Sequence, residues 1–141
     1  MKGPIQSVEV SYLVHATEDA QKIGSAVESI FGPLGEPKVD AMEGHFGNAI
    51  TRVNHHVTGE DAARAFASLT SKMGSGLKQR LRSEVGDHLD EHSAFYLRLD
   101  KQRLIEGALE LAEADPVRLR VKPRLYMARG GAASLFAGLL S

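Results

Sequence analysis

The 141 residues fit one domain, carry no cysteine and sum to a formal net charge of −1. Thiolate zinc sites, thiol nucleophiles and disulfide frameworks are therefore excluded, and a chain of this length buries enough surface to fold without them. No apolar run approaches the ~20 residues of a membrane span, and the reading is a cytoplasmic protein of one domain, residues 1–141.

Ser7 to His15 alternates, with Val8, Val10, Tyr12 and Val14 on one side and Glu9, Ser11, Leu13 and His15 on the other, the period of a half-buried strand. Thr17 is the expected N-cap of an amphipathic helix carrying Ala20, Ile23, Val27, Ile30 and Phe31, which Gly32-Pro33 ends. Lys38 to Met42 leads into the glycine turn Gly44-His45-Phe46-Gly47-Asn48, so it pairs as an antiparallel strand with Ala49 to Thr58. Helical spacing returns from Glu60 to Met73 and, beyond Gly74-Ser75-Gly76, from Leu77 to Leu89.

Phe95, Leu97 and Leu99 then alternate with Tyr96, Arg98 and Asp100 in the chain's clearest strand. Leu104 to Ala114 reads as an apolar helix ended ahead of Pro116. Val117 to Lys122 is the last strand, with Arg118, Arg120 and Lys122 outward. Ala132 to Leu140 must dock on the core or on a second subunit. The expected fold is α+β: an antiparallel or mixed sheet of four to five strands with helices on one face.

In such a fold the outward residues converge on an open surface: His15, Arg52, Asn54, His56, Tyr96, Arg98, Arg118, Arg120 and Lys122. Guanidinium and ammonium groups neutralise phosphates, and rings or guanidinium planes hold splayed bases, so the surface suits single-stranded or looped RNA. At the strand end, His15 and Thr17 sit beside exposed helix amides, a setting for an anion. His15 and His45 with Glu18 or Asp19 offer an alternative, the ligands of a metal-dependent hydrolase. His88-Leu89-Asp90-Glu91-His92 matches the H-x-x-E-H pattern but falls where a helix ends, so a polar connection is expected. No nucleophile-and-base pair is evident, and no cofactor or catalysis is expected. A protein adaptor or homodimer is the other alternative.

Four segments, His15-Ala16-Thr17-Glu18-Asp19, Gly44-His45-Phe46-Gly47-Asn48, Leu97-Arg98-Leu99-Asp100-Lys101-Gln102 and Asp115-Pro116-Val117-Arg118-Leu119-Arg120-Val121-Lys122, together resemble an archaeal family of small RNA-binding proteins predicted to be exosome subunits. The resemblance implies a fold like that of the ribosomal protein that binds 5S RNA, a cytoplasmic archaeal setting, and a link to the exosome or ribonuclease P. It adds Asn48, Lys101 and Gln102 to the expected RNA contacts His15, Thr17, His45, Arg52, Tyr96, Arg98, Arg118, Arg120 and Lys122. Leu99 and Phe46 depart from the family's phenylalanine and tyrosine at those positions.

Overall fold

The computed structural model describes residues 3–44 and 46–141. Five strands form one sheet in the order β2-β3-β1-β5-β4: β1 (Ile5–His15), β2 (Lys38–Glu43), β3 (Ala49–Thr58), β4 (Phe95–Leu99) and β5 (Val117–Pro123). Every pairing is antiparallel. The central strand β1 buries the alternating set Val8, Val10, Tyr12 and Val14, as its period requires.

Helices α1 (Ala20–Phe31), α2 (Gly59–Lys72), α3 (Ser75–Ser83), α4 (Lys101–Ile105) and α5 (Arg129–Leu139) complete the chain, with a 3₁₀ turn at Val85–His88. Ile23, Val27 and Phe31 of α1 and Ala65, Phe66 and Leu69 of α2 join the strands' inward residues in one core. The α5 segment docks on that same core: the Phe136 ring stacks on Phe95 at 5.1 Å and meets Phe66 edge-on at 6.4 Å. Helices thus cover one face of the sheet, and the other stays open.

Three local features differ from the expectation. Asp19 caps α1, its Oδ1 accepting the Gln21 and Lys22 N–H groups, while Thr17 lies exposed in the turn before it. The Leu77–Leu89 stretch divides into α3 and the 3₁₀ turn. The expected helix over Leu104–Ala114 is absent: α4 stops at Ile105, and Gly107 turns the chain with φ +86°. Beyond it the backbone runs beside the end of β4, where Asp100 N–H donates to Glu110 C=O and Ala112 N–H to Arg98 C=O. Backbone hydrogen bonding to the sheet edge is what those apolar residues gain over a helix turn.

Candidate nucleic-acid interface

Strand register places the open-face residues in rows. Lys38, Asn54, Ser11, Arg118 and Arg98 form one row across all five strands, and His56, Glu9, Arg120 and Tyr96 form the next across four. Small Ser11 lies at the middle of the first row, so Arg118 beside it stands above a low floor. Arg98, Arg118, Lys122 and Arg52 are exposed, and no ion pair holds any of them among the described residues.

Arg120 is different. Its Nε donates to Asp90 Oδ2 at 2.9 Å, and Asp90 also accepts the His92 and Ala94 N–H groups through Oδ1. Burial alone would raise the Asp90 carboxyl, but the Arg120 hydrogen bond, the two backbone donors and the Arg120 charge outweigh it and hold the group below its ordinary value. The partly exposed pair sets a carboxylate against the Arg120 charge.

Tyr96 is also engaged. Its hydroxyl donates to the Asp87 carbonyl at 3.0 Å, and the Arg98 guanidinium carbon lies 5.7 Å from the ring centroid. The arginine shields one side of the ring and itself offers a planar stacking surface. His88 packs on the other neighbour of this group, 6.0 Å from the Tyr96 ring, with Nδ1 3.2 Å from the Tyr96 carbonyl oxygen. His92 lies exposed in the following turn, so the two histidines of the H-x-x-E-H fragment share no helix face.

Two cavities flank Arg118. One, of about 450 Å³, is lined by Glu9, Ser11, Asp90, Tyr96, Arg98 and Arg118. The other, about 470 Å³, includes Ser11, His15, Arg52, Asp115 and Arg118. His15, Arg52, Tyr96, Arg98, Arg118 and Arg120 therefore border one continuous surface, with Lys122 at its far end, paired with Ser7 of β1.

At the corner of this surface sits Lys101, whose side chain is 2% exposed. Its Nζ donates to Leu13 C=O at 2.9 Å, Glu18 Oε1 at 2.9 Å and Asp115 Oδ2 at 2.7 Å, which uses all three ammonium hydrogens. Gln102 Nε2 donates to the other Glu18 oxygen at 3.3 Å, and His15 Nε2 lies 3.1 Å from Asp115 Oδ2. Burial would raise the Glu18 carboxyl, yet the Lys101 hydrogen bond, the His15 N–H and nearby positive charge keep it below its usual value. Asp100 pairs with neither Arg98 nor Lys101; it caps α4 by accepting the Arg103 N–H.

Ligand atoms of His15, Glu18 and Asp115 fall within 4.8 Å of one another, a span that would suit a metal ion. The cation between the two carboxylates is the Lys101 ammonium. Asn48 lies exposed at the β2–β3 turn, packed against Gly44, where a Cβ would meet Asn48 Oδ1 at 2.5 Å. His45, expected as an RNA contact and as a metal ligand, lies outside the described residues.

A family model described as RNA binding matches residues 7–123, from the central strand through the end of β5. The chain belongs to that RNA-binding family. Among its relatives, RNA-binding protein PAB1135 of Pyrococcus abyssi is 29% identical over 135 residues, covering 89% of this chain and 88% of the relative. The protein MJ0213 of Methanocaldococcus jannaschii is 32% identical over 120 residues, 80% of each. The crystal structure of AF2318 from Archaeglobus fulgidus, a DUF54 protein, superposes with a TM-score of 0.82 at 27% identity, covering 96% of this chain and 99% of that one.

Asp90 and Asp115 were not singled out from sequence, although both decide the site's electrostatics. Asp115 precedes a proline and takes φ +47°, a turn position that aspartate tolerates. Its pairing with Lys101, fourteen positions away, leaves no local pattern.

Proposed function

We propose that this protein is a non-catalytic RNA-binding module that holds single-stranded or looped RNA on the open sheet face. The observation that carries this reading is the pair Arg118 and Arg98, exposed and unpaired by acids, in one row beside Ser11. Arg118 and Arg52 meet backbone phosphates, while the Arg98 guanidinium plane over Tyr96 stacks a splayed base. Lys122 extends the basic track, and His15, Thr17 and Asn48 belong to its rim. Lys101 and Gln102 contribute by fixing Glu18 and Asp115 rather than by reaching the ligand. Membership of the RNA-binding family supports the same ligand class.

Association with an RNA-processing assembly of the exosome or ribonuclease P kind is the finer part of this proposal, and the resemblance alone supports it. The protein-adaptor alternative has less to draw on, since Ala132, Phe136 and Leu140 of the apolar tail are buried in their own chain. Among the described residues, no helix is long and apolar enough to cross a membrane.

Binding of the purified chain to a short mixed-sequence RNA and to the matching DNA tests the reading. RNA binding that weakens steeply with salt, tighter than for DNA, is expected, because a 2′-hydroxyl-bearing ligand fits this family and phosphate contacts release counterions. Absence of RNA binding at low salt would overturn it.

A further inference from the structure

Glu9 stands at the centre of the open face, directly across β1–β5 from Arg120 and across β1–β3 from His56. The cross-strand position predicts a Glu9–Arg120 ion pair. The pair does not form: the Arg120 guanidinium turns to Asp90, whose two oxygens are then taken by Arg120, His92 and Ala94. Glu9 is left half-buried with no hydrogen bond or ion pair from its carboxylate among the described residues, lining the same cavity of about 450 Å³ as Ser11, Tyr96, Arg98 and Arg118. An unneutralised carboxylate weakens phosphate binding, so its contribution to an RNA site must come from something other than backbone affinity.

We propose that Glu9 makes this cavity a guanine-selecting base pocket, in which the carboxylate accepts the N1–H and N2–H donors of an unpaired guanine. The inference rests on the RNA-binding reading above and adds base selectivity to it. A carboxylate is acceptor-only and can take two parallel N–H bonds. On its Watson–Crick edge guanine alone presents two adjacent donors. Adenine and cytosine place a ring-nitrogen acceptor beside their amino group, and uracil flanks its single N–H with two carbonyls, so each sets an acceptor against the carboxylate. Arg98 and its cross-strand neighbour Arg118 both line the cavity, the first offering a plane to stack the ring and the second a contact to the adjoining phosphate.

The test compares short uridine-rich RNAs that differ at one central nucleotide: guanosine, inosine, adenosine, cytidine or uridine. The guanosine RNA is expected to bind about tenfold more tightly than the adenosine, cytidine and uridine RNAs, with inosine between them because it lacks the N2 amino group. In Glu9→Gln this ranking collapses while affinity for the uridine RNA stays equal or rises, since a negative charge has left the face; a folding defect would instead weaken every RNA together. Equal affinity for all five RNAs in the unaltered protein, or a guanosine preference retained in Glu9→Gln, overturns guanine selection and leaves the RNA-binding reading standing. No binding to any of the five overturns both.

Discussion

The Lys101 ammonium lies 2.7 Å from the Asp115 carboxylate, which joins the start of α4 to the turn before β5. Glu18 closes the same group from the other side at 2.9 Å, so one buried cation fastens three separate segments at the edge of the open face. Lys101→Met keeps the stem and removes the charge. It is expected to destabilise the protein by about 2 kcal/mol in urea unfolding, below the ~3–5 kcal/mol of a fully buried pair because both acids retain access to water. RNA affinity measured on the folded variant should change little; a loss as large as that from removing an exposed arginine would assign Lys101 to the ligand itself.

Acid should lower the protein's stability in two pH ranges. Burial pushes His55 below its ordinary value of 6.5, so the native state favours the neutral ring. Its contribution is complete above pH 6.5 and is lost as pH falls from there through the lower folded value. Glu18 and Asp90 are also held below their ordinary values, 4.5 and 3.8, so their contributions persist above those values and disappear as pH falls beneath them. A Tm profile from pH 8 to 3 should show both declines. His55→Leu should abolish the upper one and Asp90→Asn should soften the lower; unchanged profiles would contradict these assignments.

The docked tail contributes Ala132, Phe136 and Leu140 to the core. Phe136 is fully buried between Phe95 and Phe66, and Phe136→Ala is expected to cost about 3–5 kcal/mol by chemical denaturation. A loss below 1 kcal/mol would mean that α5 packs loosely on the sheet.

Asp90 restrains the charge of Arg120, so its removal should act on binding in the opposite sense to removal of an arginine. Asp90→Asn keeps an oxygen for the His92 and Ala94 N–H groups while freeing the guanidinium. RNA affinity should rise at low salt, with a salt slope steeper by about 0.7 for one added phosphate contact on a single strand. Unaltered affinity would place Arg120 outside the RNA track.

Strands β1 and β5 were legible because each is covered on only one face, so alternation survives in Val8-Val10-Tyr12-Val14 and in Val117-Leu119-Val121. The segment after Leu104 was not, since an apolar run with no clear period is consistent with a helix or with an extended edge, and Gly107 at positive φ decides between them. The basic residues of the open face could be assigned to a side, but not their pairing. Whether Arg120 is free depends on Asp90, thirty positions away, and whether Lys101 is exposed depends on Glu18 and Asp115. Such long-range neutralisation leaves no local trace, which is why Arg98, Arg118 and Arg120 looked alike in sequence and differ in the fold.

The most direct test of the sheet-face account is RNA binding across a salt series for the intact protein and for Arg98→Ala combined with Arg118→Ala. Both side chains are exposed and neither holds an acid, so the variant should fold normally. The account predicts weaker binding, from the lost Arg98 stacking surface and the lost Arg118 phosphate contact, and a slope of log affinity against log salt that is shallower by about 0.7 for that one phosphate. Unchanged affinity and slope would contradict it and place the RNA on another surface of the protein.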